Sequence, residues 1–263
     1  MSFPMVVIPT YNERENIEPL IRAIFRLYPS FHVTIVDDAS PDGTGQVAEE
    51  LRAHFPQLHA VHRPAKAGLG TAYIAGFRYA LAAGASVIFE MDADFSHDPA
   101  MLGALFEAAQ EYDLVIGSRY IDGVRVEGWP FRRLLLSKFA NIYAAALLVL
   151  PVWDLTAGFR AYRRDVLERL DLSKIHSDGY AFQIEMLCHT LQHGFHVAEV
   201  PILFRERARG VSKISRHVVW EAFWLVLRLR APLLTILRHL RVLVNHYGEF
   251  VTQHPATQRR HLR

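Results

Sequence analysis

Apolar and polar positions along the chain follow two rhythms. Met5 to Ile8, His32 to Val36, Val87 to Met91 and Leu114 to Ile116 are short, mainly β-branched or apolar, and each is followed at once by polar residues. Such runs predict strands buried on both faces, as in a parallel sheet. Leu58 to His62 adds a further strand. Between them, apolar residues recur at helical spacing: Ile17, Leu20, Ile21 and Ile24, then Val47 to Leu51, Tyr73 to Leu81, and Met101 to Ala109 after Pro99. Strands and helices alternating in this order predict an α/β fold, Rossmann-like, with a mainly parallel central sheet and helices on both faces.

Ligands of such sheets bind beyond the carboxyl ends of the strands, so the residues found there carry the chemistry. Thr10, Tyr11, Asn12 and Glu13 follow the first strand, Asp37 and Asp38 the second, Asp92, Asp94 and His97 the fourth, and Ser118 and Arg119 the fifth. Acids gathered at one edge suit a divalent metal with a polyphosphate better than a bare anion, which carboxylates alone would repel. In Asp92-Ala93-Asp94 the alternation of a strand end aims both carboxylates at one locus, an oxygen cage for Mg²⁺ or Mn²⁺. Standing alone, the pair would serve equally well as a helix cap before Asp98-Pro99.

Other motifs narrow the choice. Gly68-Leu69-Gly70 precedes a helix, but Tyr73 occupies the third glycine position of a dinucleotide fingerprint, and the segment follows the third strand instead of the first. A close-packed helix start near a nucleotide is expected. Phosphate-loop and nucleophile-elbow motifs do not occur. His189 and His193 sit four apart, as zinc ligands on a helix would, without a third ligand at a persuasive spacing, so surface or packing roles are expected. Leu134 to Leu150 is apolar around most of its circumference, apart from Ser137, Lys138 and Asn141. Fifteen uncharged residues between Lys138 and Asp154 fall short of the ~20 that span a bilayer. Two readings stay open, a buried helix or a helix lying in the membrane interface.

Composition adds bounds. Of 263 residues, 51% are hydrophobic and 21% charged, ample for a core. The lone cysteine, Cys188, leaves no intramolecular disulfide framework and is expected in the core; a cytoplasmic setting follows. Met1 to Pro4 lead directly into a strand, so no secretory signal is expected. Charge is uneven: Arg205 to Arg263 holds 12 Lys/Arg against 3 acids, leaving 17 against 24 before it. Trp220, Phe223, Trp224 and Leu227, then Leu233, Ile236, Leu237 and Leu240, interleave with that basic charge at helical spacing. The stripe favours lipid or a protein groove over nucleic acid.

Taken together, Val7-Ile8-Pro9-Thr10-Tyr11-Asn12-Glu13, Val36-Asp37-Asp38-Ala39-Ser40-Pro41-Asp42-Gly43-Thr44 and Met91-Asp92-Ala93-Asp94-Phe95-Ser96-His97 resemble inverting glycosyltransferases of the GT-A fold. Gly117-Ser118-Arg119-Tyr120, Arg132-Arg133 with Ser137, Asp154 to Arg160, Gly179 to Glu185, and Phe204 to Lys213 narrow the likeness to dolichol- or polyprenol-phosphate mannosyltransferases, over roughly residues 4 to 215. The resemblance implies transfer of mannose from GDP-mannose to a polyprenyl phosphate with inversion. It implies that Pro9, Tyr11, Glu13 and Asp38 hold the nucleotide and that Asp92 and Asp94 bind the metal bridging its diphosphate. By the same likeness Arg119, Arg133 and Ser137 grip the acceptor phosphate, Arg207 and Lys213 close a loop over the phosphates, and Asp94, Arg119 and Arg133 are the catalytic set. Some relatives carry Gln where Ser96 stands, which leaves a third metal ligand open, with water through Ser96 as the alternative.

A phosphate monoester, with a second pKa of about 6, needs cations more than a protein base, and paired arginines supply them. The expected organisation is a transferase domain, 1–215, an amphipathic helical segment, 216–246, and a disordered tail, 247–263. A polyprenyl chain stays in the bilayer, so peripheral association with the cytoplasmic face follows, through Val218 to Leu243 or by docking on a membrane-embedded partner. The rival readings are a glucosyl or aminosugar transferase using a UDP-sugar, a non-catalytic nucleotide-sugar or lipid-binding module, and, third, a dehydrogenase.

Overall fold

The computed structural model describes residues 3–148, 150, 152–206, 226 and 244–246; for Arg132, Arg133, Leu136 and 244–246 it describes the backbone alone. The first half follows the expected alternation: β1 (Phe3–Thr10), α1 (Arg14–Leu27), β2 (His32–Asp37), α2 (Thr44–Arg52), β3 (Leu58–His62), α3 (Leu69–Ala83), β4 (Ala85–Glu90), a 3-10 turn (Pro99–Met101), α4 (Leu102–Ala108) and β5 (Leu114–Ser118). Then come β6 (Val126–Glu127), α5 (Phe131–Leu148), β7 (Arg160–Arg163), α6 (Arg164–Arg169), α7 (Gly179–Gln192), β8 (Val197–Pro201), β9 (Phe204–Arg205) and β10 (Val244–His246).

Among the described residues, eight strands form one sheet in the order β10-β8-β5-β7-β4-β1-β2-β3, and β6 pairs with β9 in a separate ribbon. All neighbours in the large sheet are parallel except β7, which runs antiparallel between β4 and β5. Helices cover both faces, as β1 illustrates. Its Met5 and Val7 join a core with Tyr73 and Phe77 of α3 and Phe182 of α7, while Val6 and Ile8 pack with Ile17 and Leu20 of α1 and Leu105 of α4. A strand apolar on successive residues thus finds cover on each side.

Two strands escaped the apolar pattern. Both β7, Arg-Ala-Tyr-Arg, and β8, Val-Ala-Glu-Val-Pro, carry a buried charge, Arg160 and Glu199. The sheet edge explains a further difference: β8 offers unpaired backbone groups, and Val244–His246 pairs with it in parallel, so the end of the segment expected to be helical, 216–246, is a strand. The other positions singled out in the C-terminal region, Arg207, Lys213, Val218 to Leu243 and the tail 247–263, lie outside the described residues apart from buried Val226.

The long apolar helix is α5. Asn141, Ala144 and Leu148 are buried, whereas Phe131, Leu135, Phe139 and Ile142 are each more than half exposed. Their spacing places them in one row on the helix. The buried-helix reading therefore holds for one face only. No helix of the described residues is long and apolar enough to cross a membrane.

Candidate active site

Three loops leave the carboxyl ends of β1, β2 and β4, and each turns on a non-glycine residue in the left-handed region: Asn12 at φ 58°, Ala39 at φ 53° and Phe95 at φ 61°. Such conformations cost of order 1–3 kcal/mol each and persist where the surroundings enforce them. Here hydrogen bonds enforce them. Asp37 Oδ1 accepts from Thr10 Oγ1 at 3.0 Å and Ser40 Oγ at 2.5 Å, and its Oδ2 accepts from the Ser40 backbone N–H. Asn12 N–H donates to Ser40 Oγ, and Ser96 N–H to Asp94 Oδ1, both at 3.0 Å. Asp37 thus braces the β1 and β2 loops and is absent from the cleft wall that Asp38 lines.

The loops enclose one cleft of about 320 Å³, to which Pro9, Tyr11, Glu13, Asp38, Asp92, Asp94 and Arg119 all contribute. The acid-lined and arginine-bearing parts expected from the sequence therefore share one cavity. Asp38, at the end of β2, accepts from Arg63 Nη1 at 2.6 Å and from the Ala67 N–H at 3.3 Å. Glu13 Oε2 accepts from Asn16 Nδ2 at 2.8 Å. Lys66, which the sequence reading passed over, lies 4.1 Å from the centre of the Tyr11 ring and lines the same wall.

Asp92 is partly exposed to the cleft and Asp94 is buried. Tyr73 Oη donates to Asp92 Oδ1 at 3.4 Å, and the Asp92 backbone N–H donates to His97 Nδ1 at 3.2 Å. Burial drives the His97 imidazole down to about 4, with Asp94 opposing and Arg119 assisting, so the ring is neutral; the Asp92 N–H assigns its proton to Nε2. His97 stacks on Phe159 with ring centres 4.9 Å apart. The donor set is thus two carboxylates, and no cluster of three His, Cys, Asp or Glu occurs among the described residues. That set fits a hard cation that completes its shell with substrate phosphate and water, the habit of Mg²⁺. Ser96 is buried, its carbonyl accepting from the Arg205 N–H at 3.3 Å.

Arg119 follows β5. Its Nε and Nη2 meet Asp154 Oδ2 and Oδ1 at 2.7 and 2.6 Å, Nη2 also donates to Thr156 Oγ1 at 2.8 Å, and its backbone N–H donates to Asp154 Oδ2 at 3.0 Å. Tyr120, Trp129 and Phe204 ring the guanidinium at 5.3 to 5.6 Å. Burial works against its charge, but the Asp154 carboxylate outweighs this and keeps it protonated. Asp154 is seated in turn by Glu199, whose oxygens accept from the Trp153 and Asp154 N–H groups at 2.8 and 2.9 Å. Burial pushes Glu199 up to about 7 against those bonds. Asn141 of α5 completes the brace, donating to Thr156 Oγ1 and accepting from the Leu155 N–H. The arginine is a fixed cation, its Nε and Nη2 engaged by Asp154 and Thr156.

Ser137 lies beside this group without lining the cleft: its Oγ accepts from Tyr120 Oη at 2.9 Å. Arg133 stands on α5 one turn earlier, its side chain outside the described residues. The cleft is also lined by Asp178, which accepts from the Gly70 N–H at 2.9 Å, and by Gln183. Gly70 is required there, because a Cβ would lie 2.5 Å from the Ser177 carbonyl; the glycine pair makes a close-packed helix start. Outside the site, the buried Cys188 thiol is pushed up to about 12 by burial, and His193 Nδ1 meets the His189 carbonyl at 2.8 Å.

Residues 5–171 match the glycosyl transferase family 2 domain. A polyprenol monophosphomannose synthase from Mycolicibacterium smegmatis is 51% identical over 224 residues, 84% of each chain. An undecaprenyl-phosphate mannosyltransferase from Micrococcus luteus is 46% identical over 218 residues, 83% of this chain and 90% of the relative. Among solved structures, glucosyl-3-phosphoglycerate synthase from Mycobacterium tuberculosis, with Mn²⁺, UDP-glucose and phosphoglyceric acid, superposes with a TM-score of 0.63 at 21% identity over 87% of this chain and 79% of that one. A mannosyltransferase from Pyrobaculum calidifontis, with GDP-mannose and Mn²⁺, gives 0.56 at 18% identity over 91% and 76%. With its GT-A-like sheet, its family domain and relatives matched over most of their length, the chain belongs to glycosyl transferase family 2.

Proposed function

We propose that the protein transfers mannose from GDP-mannose to a polyprenyl phosphate with inversion, releasing GDP. The observation that carries this reading is the convergence of Asp92 and Asp94 with Arg119 in one cleft, together with relatives named for mannose and a polyprenyl phosphate. An acceptor phosphate oxygen attacks the anomeric carbon, the bond from that carbon to the diphosphate breaks, and its electron pair leaves on GDP. The phosphate is already largely dianionic at neutral pH, its second pKa being about 6, so no protein base is needed. Arg119 orients it as a fixed cation, with Arg133 as a further contact by analogy with the family and Ser137 acting through Tyr120, whose hydroxyl donates to it.

On the donor side, Pro9, Tyr11, Glu13 and Asp38 hold the nucleotide, and Asp92 and Asp94 would hold Mg²⁺ or Mn²⁺, which supplies charge neutralisation for the leaving diphosphate. Arg207 and Lys213 add cationic cover by analogy with the family. Neutral His97 beneath Asp92 keeps a competing positive charge out of the carboxylate pair. The acceptor's hydrocarbon chain requires work at a membrane surface; the exposed row on α5, on the helix that carries Ser137, supports docking there, and the basic, apolar sequence of 218–243 is the further element proposed to bind lipid. The cytoplasmic leaflet, where a GDP-sugar is met, is the proposed side.

The deciding assay offers labelled GDP-mannose or UDP-glucose with undecaprenyl phosphate, with and without Mn²⁺. Metal-dependent formation of the β-linked mannolipid is expected. Transfer from UDP-glucose alone would overturn the donor.

A further inference from the structure

One polar side chain of the cleft has no part in the mechanism above. Gln183 of α7 is 3% exposed and lines the cavity. Its Nε2 donates to Glu90 Oε2 at 2.7 Å, which turns that end of the amide toward the carboxylate at the end of β4. Its Oε1 is buried and, among the described residues, without a hydrogen-bond partner. A buried amide oxygen with no donor is unfavourable unless something outside the protein supplies one.

The backbone around it is held firmly and the space beside it is kept clear. Arg160, itself fully buried, donates from Nη1 to the Gln183 carbonyl and from Nε to the Ala157 carbonyl, both at 2.8 Å. Next to Ala157, Gly158 leaves a gap: a Cβ there would lie 3.7 Å from Gln183 Nε2 and 4.0 Å from His97 Cε1. All three residues line the cleft that holds Asp92, Asp94 and Arg119. The group that must lie between a diphosphate and an acceptor phosphate is the sugar.

We infer that the gap over Gly158 receives the hexose of the nucleotide sugar and that the Gln183 amide, oriented by Glu90, is its hydroxyl-recognising, specificity-determining group. This rests on the proposed donor-sugar chemistry and adds the residue that reads the sugar. A sugar hydroxyl donates to Oε1 and so satisfies the orphaned acceptor. A nucleoside diphosphate without the sugar has no contact with this position.

The test is equilibrium binding of GDP-mannose and of GDP, each with Mn²⁺ at pH 8, to the full chain and to Gln183→Met and Gly158→Ala. The methyl of Gly158→Ala meets its neighbours at ordinary contact distances, so that variant folds and tests the sugar's place; if loss of the Glu90 partner unfolds Gln183→Met, Gln183→Glu, which keeps the size and an acceptor oxygen, tests the amide. Gln183→Met and Gly158→Ala are both expected to bind GDP as the wild type does; Gln183→Met should bind GDP-mannose about tenfold more weakly, the equivalent of one lost hydrogen bond, and Gly158→Ala should weaken GDP-mannose alone by crowding the sugar. Equal weakening for both ligands, or none for either, overturns the inference. Wild-type turnover of GDP-mannose, measured alongside, separates this failure from a wrong donor: an enzyme that uses only another nucleotide sugar refutes the proposed function.

Discussion

Removing the negative charge of Asp154 gives a sharp test of how Arg119 is held. Asp154 is fully buried, Arg119 is 4% exposed, and the two share a bidentate contact at 2.6 and 2.7 Å. Asp154→Asn keeps the shape but leaves a guanidinium in the interior without its counter-charge. Breaking a buried pair from one side costs about 3–5 kcal/mol, because the surviving charge stays desolvated. At roughly 2–4 °C per kcal/mol for a chain of this size, the melting temperature should fall by about 10 °C. Urea denaturation followed by circular dichroism measures the loss, and its insensitivity to salt distinguishes a buried pair from a surface one. The double variant Arg119→Met with Asp154→Leu should regain much of the stability, since neither charge remains, while transfer stays abolished. A cost for Asp154→Asn below about 1 kcal/mol, the range of exposed pairs, would refute the argument that Arg119 is a fixed, desolvated cation.

Asp92→Asn and Asp94→Asn are each expected to abolish mannose transfer with an unchanged circular dichroism spectrum, and chelation of divalent metal should mimic them reversibly. Glu199 is raised to about 7 in the fold, so its contribution is full below the unfolded carboxyl range near 4.5 and is lost as pH rises through 7. Glu199→Gln should therefore destabilise more at pH 5 than at pH 8, by up to about 3 kcal/mol; an equal cost at both would contradict the raised value. Leu135→Asp with Phe139→Asp should reduce sedimentation with anionic liposomes while sparing turnover of a short-chain, detergent-soluble acceptor, and unchanged sedimentation would remove α5 from the docking surface. Cys188 should resist thiol reagents in native protein and react fully in denaturant, since it is buried and its thiol is pushed up to about 12.

Strands β1, β2, β4 and β5 were legible because each is buried along nearly its whole length, which leaves a run of apolar residues with no other explanation, whereas β3 at the sheet edge is mostly half-buried. Strands β7 and β8 were not, because Arg160 and Glu199 interrupt the pattern. They are held in part by partners distant in sequence, the Gln183 carbonyl 23 residues on for Arg160 and the Asp154 N–H 45 residues back for Glu199. The same holds within the cleft. Acids at strand ends can be read from one dimension, since the strand fixes where its end must be. Lys66, Asp178 and Gln183 reach the cavity from connections and from α7, and no local spacing announces that. Gln183 lies within the Gly179 to Glu185 motif, yet nothing in the sequence announces that its amide oxygen is buried beside the cleft. The Arg119 site was visible as a motif, and its bond to Asp154, 35 residues later, was not.

The antiparallel strand β7 sets a dimension of the whole cavity. Strands in a sheet lie about 4.8 Å apart, so wedging β7 between β4 and β5 holds the ends that carry Asp92 and Arg119 roughly 10 Å from each other. One reversed segment thus works as a spacer between the acid-bearing and the arginine-bearing strand ends.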